Sequence, residues 1–155
     1  MAAPTWLLRF LSLYPPYTGA GIRVKASADL RTFEVRMKLR FWNRNFLGTQ
    51  FGGSLYSMCD PFFVLILTAA LGGRYVVWDK AAAIRFLRPG RGTVKATFHI
   101  PQERIEEIRA AADAGGKVEP TFQVSVVDER GQAVAEVEKL LYVRRQEVVN
   151  AGSDR

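Results

Sequence analysis

Residues 52–73 decide the fold of this chain, and they read GGSLYSMCDPFFVLILTAALGG. Glycine pairs at the two ends, Gly52-Gly53 and Gly72-Gly73, mark the segment as a single helix of about 18–20 residues, about 30 Å long. Because nearly every side of this helix is apolar, it must be buried all round. The segment therefore predicts a central helix enclosed by a sheet that curls around it.

Strand patterns flank this segment on both sides. Residues 31–40 alternate apolar and charged side chains at a period of two, and a corner joins them to a strand at 21–28. Further strands are predicted at Ala81–Leu87, Thr93–Ile100, Thr121–Val127 and Gln132–Val143, with a surface helix at Pro101–Ala114. Since the strands come in adjacent hairpin pairs, we predict an α+β fold with an antiparallel sheet of five to six strands, and exclude a doubly wound parallel sheet.

The chain is long enough for one domain with a core of its own, at 155 residues and 48% hydrophobic. We assign residues 1–145 to this domain and residues 146–155 to a flexible C-terminal tail. The segment Trp6–Tyr14 is interpreted as a short apolar helix that packs on the fold and ends at Pro15-Pro16, with a membrane-surface role as the alternative. The apolar run Pro61–Ala70 has half of the about 20 residues that a bilayer span needs, so no membrane span is predicted.

The cysteine count and the net charge limit the chemistry. Cys59 is the only cysteine, which excludes a disulfide framework and a cysteine-based metal site, so no metal is predicted and a cytoplasmic location is expected. The net charge of +7 favours an anionic partner. Nucleic acid is disfavoured, because the chain has neither an aromatic RNA-binding signature nor a helix-turn-helix pattern.

The first candidate for chemistry is the glycine pair that opens the helix. Backbone N–H groups at a helix N-terminus are free and lie at the positive end of the helix dipole, so they can polarise a substrate carbonyl. The N–H of Gly53 is the best candidate donor, although Gly52-Gly53 could equally be an ordinary turn. Ser54 lacks the strand-to-helix elbow of a nucleophilic serine, and the only histidine, His99, is predicted to lie on the surface.

The second candidate is Asp60. Its neighbours three and four positions away on a continuous helix are mostly apolar, so a carboxylate there is unfavourable unless it is hydrogen-bonded or functional. We expect it to be buried near the start of the central helix. Two alternatives remain open: Asp60 caps a helix that starts at Pro61, or the helix continues and Pro61 kinks it.

Three stretches together resemble one known family. Residues 45–60, with Asn45, Gly52-Gly53 and Asp60 at its spacing, resemble the active-site region of the hot-dog thioesterases related to the phenylacetate-pathway enzyme. Residues 84–92 and 126–135 are similar to a further strand end and to the last hairpin of that family. The resemblance covers roughly residues 20–145.

The resemblance implies a hot-dog fold, in which the curved antiparallel sheet wraps around a long central apolar helix. It also implies an acyl-CoA thioesterase with Asp60 as general base or nucleophile and with Gly53 and Asn45 in the catalytic site. Coenzyme A would be part of the substrate, and no other cofactor is expected. Homodimers with sites between the two central helices, commonly as dimers of dimers, are implied as well.

The substrate-binding residues include a departure from the family. Phe51 stands where the family has a histidine, next to Gly52 and Ser54, which line the same site. The phosphates of coenzyme A are assigned to the arginines Arg85, Arg88 and Arg91. The alternative for that basic cluster is a solvated edge with local ion pairs such as Asp79 with Lys80. Because a phenyl ring cannot do the work of an imidazole, a non-catalytic acyl-thioester or lipid-binding protein is the alternative function.

Overall fold

The computed structural model describes the backbone of residues 7–146 and the side chains of residues 10–146. A 3-10 helix at Leu7–Leu13 comes first. The elements that follow are α1 (Pro15–Ala20), β1 (Ile22–Ala26), β2 (Thr32–Lys38), α2 (Gly52–Ser57), α3 (Phe62–Leu71), β3 (Tyr75–Phe86), β4 (Thr93–His99), α4 (Gln102–Asp113), β5 (Thr121–Val127) and β6 (Ala133–Arg145). The predicted tail, apart from Gln146, lies outside the described residues.

Six strands form one sheet in the order β1-β2-β4-β5-β6-β3, and every neighbouring pair is antiparallel. The sheet curves as a half-barrel and carries the apolar helices on its inner side. Phe33 of β2 and Phe98 of β4 project inward and meet Phe62 of α3, with ring centroids 5.3 Å and 4.7 Å away. The predicted antiparallel α+β architecture, the hot-dog fold, is confirmed.

The strand β3 differs from its prediction in length and in pairing. It begins at Tyr75 rather than Ala81, and it pairs with β6 instead of forming a hairpin with β4. Its end is tied to β6, because the N–H groups of Leu87 and Arg88 both donate to the carbonyl oxygen of Val134. Since β3 pairs on one side only, with β6, it is an edge strand of twelve residues.

The central apolar segment is two helices instead of one. The helix stops at Ser57, a turn carrying a cis peptide bond between Asp60 and Pro61 intervenes, and the second helix begins at Phe62. Neither a kinked continuous helix nor a helix starting at Pro61 is formed. The turn is possible because proline disfavours helical geometry in the residue before it.

The prediction that this segment is buried all round is wrong for the single chain. Phe62, Phe63, Ile66 and Leu67 of α3 are buried against the sheet. Val64, Leu65 and Thr68 are only partly buried, and Ala69 is exposed. A six-stranded half-barrel covers one side of the helices and leaves an apolar face open.

The segment Gly52–Leu71 is long and apolar enough to cross a membrane: an 18-residue stretch of it has a mean hydropathy of 1.6, and 44% of that stretch is buried. The structure divides it into two helices whose inner faces supply much of the core, among them Leu55, Met58 and Ile66. We therefore assign it to the core of the domain.

The two edge strands of the sheet, β1 and β3, differ in whether another segment covers them. The hydroxyl of Ser12 in the 3-10 helix donates to the carbonyl of Val24 and accepts from its N–H, so the N-terminal segment covers the edge of β1. Pro15-Pro16 ends this helix as predicted but also opens α1. At the other edge, β3 has β6 as its only strand partner among residues 7–146.

Candidate active site

Asp60 lies in the turn between α2 and α3, and three contacts fix it there. Its N–H donates to the carbonyl of Ser57 at 3.3 Å, and its own carbonyl oxygen accepts a hydrogen bond from the hydroxyl of Tyr17 on α1. Its carboxylate Oδ1 accepts from Lys139 Nζ at 2.7 Å. The carboxylate makes no cap to α3. We predicted that Asp60 is buried, but in the single chain its side chain is 44% exposed.

Lys139 lies beneath Asp60 on the inward face of β6, and its side chain is 1% exposed. The ammonium also donates to Asp79 Oδ2 at 2.9 Å and to the hydroxyl of Tyr56 at 3.2 Å. Burial alone would lower the pKa of Lys139, but the hydrogen bonds to the two carboxylates outweigh it and raise that pKa above its ordinary value. Lys139 is therefore a permanent cation at neutral pH.

Asp79 is the second carboxylate on this ammonium, and it comes from the edge strand β3. Burial raises the pKa of Asp79; the hydrogen bond from Lys139 opposes the rise and the nearby carboxyl of Asp60 adds to it. Its Oδ1 is buried and has no hydrogen-bond partner among the described residues. One cation thus serves two acidic groups.

Lys139 and Asp79 were missed as site residues by the sequence interpretation. The predicted local pair of Asp79 with Lys80 is wrong, because Lys80 instead binds Glu119 at 2.8 Å. A signal was present for Lys139: it occupies the apolar phase of the period-two pattern of β6, between Val137 and Leu141. A charged residue in that phase indicates a partnered buried charge.

The glycine pair forms the first turn of α2. The first hydrogen bond of this turn runs from Leu55 N–H to the carbonyl of Phe51, so the N–H groups of Gly52, Gly53 and Ser54 have no acceptor among the described residues. A Cβ at residue 53 would lie 2.6 Å from the Phe51 ring, and one at residue 52 would lie 3.1 Å from the Phe86 ring. Glycine is therefore what allows the two half-exposed rings to lie against the helix start.

Gly53 and Asp60 lie at opposite ends of α2. Gly53 belongs to the first turn of that helix, and Asp60 follows its C-cap, Met58, in the turn that leads to α3. The N–H of Gly53 and the carboxylate of Asp60 are therefore not at the same end of α2.

Asn45 organises the loop that leads to the glycine pair. Its Oδ1 accepts from the N–H groups of Leu47 and Thr49, each at 3.0 Å. Its Nδ2 donates to Thr49 Oγ1 at 3.0 Å and to the carbonyl of Gln50 at 3.3 Å. All these bonds lie within the loop, so the side chain positions the approach to Phe51.

We expect Asn45→Ala to lower the free energy of unfolding by about 1–2 kcal/mol, because it leaves loop N–H groups without a hydrogen-bond acceptor. Asn45→Asp is the matched control: it keeps the acceptor oxygen and should lose clearly less stability. Urea denaturation of the two variants measures the difference. Equal, wild-type stability in both would contradict the loop role.

The three arginines assigned to coenzyme A are spread around the end of β3. Arg85 forms an ion pair with Glu136 on the outer face of the sheet, and both line a shallow cavity of 340 Å³. Arg88 donates to the side chain of Gln132. Arg91 is exposed, with no partner among the described residues. Asp60 lies on the opposite, inner side with Lys139, so Arg85 does not share its face.

Other reactive groups do not join this site. Cys59 is buried, and burial raises the pKa of its thiol to about 12, so it remains protonated. His99 is exposed, as predicted, with its Nδ1 3.0 Å from the hydroxyl of Thr32. No group of three or more His, Cys, Asp or Glu side chains is placed to hold a metal ion among the described residues.

The fold and the site define a class: this is a hot-dog protein, and its structural neighbours include thioesterases of that fold. The chain belongs to the DUF4442 family, a domain of unknown function whose model matches residues 5–143. No curated protein matches it.

Three solved structures show the similarity. A probable thioesterase of unknown function from Pseudomonas aeruginosa is 25% identical, with a TM-score of 0.82 over 94% of this chain and 99% of that one. A thioesterase from Haemophilus influenzae is 17% identical, with a TM-score of 0.67 over 97% of both chains. The E. coli PaaI protein of the phenylacetic acid degradation operon is 19% identical, with a TM-score of 0.61 over 92% of this chain and 93% of that one.

Proposed function

We propose that this protein hydrolyses acyl thioesters of coenzyme A, with Asp60 as the catalytic carboxylate. The observation that carries the proposal is the half-exposed carboxylate of Asp60, fixed on a buried ammonium at the junction of the two central helices. The thioesterases among the structural neighbours support a thioester substrate.

We further propose that the site lies between two copies of the chain. Gly53 and Asp60 lie at opposite ends of α2 within one chain, and a two-fold axis can bring each of them next to its counterpart from the second copy. The open edge of β3 and the partly exposed face of α3 at Val64 and Leu65 are surfaces that a second copy would cover.

The mechanism follows from these groups. The N–H of Gly53 donates to the thioester oxygen and stabilises the oxyanion as it forms. Asp60 of the facing copy takes a proton from water, and the resulting hydroxide adds to the carbonyl carbon. The C–S bond then breaks, and the thiolate of coenzyme A takes up a proton as the carboxylic acid leaves. In the nucleophilic variant, Asp60 attacks the carbonyl itself, and water hydrolyses the acyl-aspartyl anhydride.

The rings of Phe51 and Phe86 form an apolar wall at the start of α2, which suits an acyl chain or the thioester methylene groups. Arg88 and Arg91 remain our assignments for the phosphates, since both lie in the exposed segment after β3. A cytoplasmic location is proposed with the substrate, because coenzyme A thioesters are intracellular compounds.

A non-catalytic acyl-thioester or lipid-binding protein is the second candidate, and Phe51 is the observation that favours it. The phenyl ring lies against Gly53 and supplies no hydrogen bond to a thioester. Hydrolysis of coenzyme A thioesters of increasing acyl length, followed by thiol release, separates the two candidates. Turnover on any of them supports hydrolysis. Binding without turnover supports the second candidate, and Phe51→His should then introduce slow hydrolysis.

A further inference from the structure

Lys139 is a charged side chain in a position that suits an apolar one. On the same face of β6, Val137 and Leu141 are buried in the core. An aliphatic residue at 139 would continue that pattern, and buried ion pairs add little net stability compared with well-packed apolar residues. Core packing therefore does not explain why an ammonium is present.

The contacts of the ammonium define what it does. An ammonium has three donors, and here they reach Asp60 Oδ1 at 2.7 Å, Asp79 Oδ2 at 2.9 Å and the Tyr56 hydroxyl at 3.2 Å. All three donors are used, so the head group is fixed in direction. The side chain of Asp60 is held through Oδ1 and is 44% exposed.

We propose that Lys139 is the positioning residue of the active site: its ammonium holds Oδ1 of Asp60 in place beside Asp79, so that Oδ2 is presented to the thioester. This inference rests on the proposed function, since it assigns Lys139 a task in the reaction of Asp60. Asp79 is the second acceptor that keeps the ammonium in place, and it links the site to the edge strand β3.

The charge balance around Asp60 depends on Lys139. The titratable groups that face Asp60 or its turn are Lys139 of β6, Asp79 of β3, Tyr56 of α2, Tyr17 of α1 and the adjacent Cys59. Burial raises the pKa of both Tyr17 and Cys59, so these two are neutral near pH 7. Among the described groups in this set, Lys139 is the only cation, and its removal leaves two carboxylates facing each other.

The test compares Lys139→Met with a matched control, Lys25→Met, on the full-length protein. Lys25 is also ion-paired, to Glu34 at 3.9 Å, but it is exposed and lies on β1 at the other edge of the sheet. Lys139→Met leaves two carboxylates without their cation. The double variant Lys139→Met/Asp79→Asn removes one of these carboxylates, so the experiment remains interpretable if the single variant fails to fold.

In the double variant we expect kcat to fall by about 10²-fold with KM changed less than about twofold, because the general base Asp60 is present but no longer held in position. The acid limb of the pH–rate profile of folded Lys139→Met should move to higher pH by about one unit or more, because a carboxylate without its cation holds a proton more tightly. Lys25→Met should match wild type. Wild-type kcat and an unshifted acid limb in both Lys139 variants would overturn the inference and leave the proposed function intact.

A second readout separates the two claims if wild type hydrolyses no thioester. Carboxyl-labelled aspartate gives a 13C signal for Asp60, assigned by its loss in Asp60→Asn. The inference expects this signal to titrate at higher pH in Lys139→Met than in wild type, whatever the activity. An identical titration would show that Lys139 does not govern Asp60, whereas lack of turnover alone would count against the proposed function.

Discussion

Asp60→Asn should lower thioester hydrolysis by about 10²-fold or more, the usual loss for a missing general base. The substitution keeps the shape of the side chain and removes the basic oxygen. The fold should survive, because Asp79 remains as a partner for the buried Lys139. Binding of coenzyme A thioesters should also survive, so that kcat falls and the dissociation constant does not. Steady-state kinetics, with thermal melting beside them, measure both effects.

Asp113→Asn is the matched control for this prediction. Asp113 is also an ion-paired aspartate, bound to Arg145 at 3.2 Å, and its side chain is exposed to a similar degree, 37% against 44% for Asp60. It is the last residue of α4, and its carboxylate binds Tyr75 and Arg145 instead of the groups around Asp60. Activity should be unchanged in Asp113→Asn. Full activity in Asp60→Asn would remove the proposed catalytic carboxylate.

The second large effect is expected at the edge of β3. Replacing the exposed Ala81 and Ala83 with lysine should convert a dimer into monomers, because like charges on paired edge strands repel and edge lysines block strand pairing. Light scattering should then give the monomer mass of 17.4 kDa where wild type gives twice that value. Since the proposed site needs two copies, hydrolysis should fall together with the dimer.

A matched control places the same two charges elsewhere. Ala110 and Ala111 are exposed on α4, and their replacement with lysine should leave both mass and activity unchanged. A wild-type protein that is monomeric at micromolar concentration, or an Ala81/Ala83 variant that is monomeric and fully active, would contradict a site shared between copies.

The elements of the fold that have strong local patterns were predictable from the sequence. The alternating residues Phe33, Val35 and Met37 predicted the buried face of β2, and all three are buried in the structure. The surface helix α4 and the last hairpin were also predicted within two residues of their ends. In each case one face is apolar and the other polar, so that local periodicity and tertiary burial agree.

The differences arise where non-local contacts decide. The pairing of β3 with β6 joins strands more than 45 residues apart in sequence, and no local pattern near Tyr75 indicates this pairing. Likewise, both local readings of Pro61 placed a helix directly at it, whereas the turn at Asp60 is fixed by Tyr17 and Lys139, which come from distant parts of the chain.

Only part of the site could be predicted from the sequence, because non-local contacts complete it. The sequence pattern singled out Asp60 and Gly53, and the structure places them at opposite ends of α2. Lys139 was visible as a charge in an apolar phase of β6, but its partners became evident only from the folded chain. The assignment of Arg85, Arg88 and Arg91 remains a prediction.

The central claim, a site that joins Asp60 of one copy to Gly53 of the other, is tested most directly with mixed dimers. Gly53→Pro removes the proposed N–H donor in the first helical turn, where proline is tolerated and the exposed Phe51 ring can move aside. Gly53→Pro and Asp60→Asn should each be inactive as homodimers. The two chains are co-expressed with different affinity tags, and the mixed dimer is purified.

A mixed dimer holds one site with both defects and one site with none, so it should recover about half of the wild-type activity if the two residues come from different copies. If each site lies within one chain, every site in the mixed dimer carries one defect, and the mixed dimer should be as inactive as its parents.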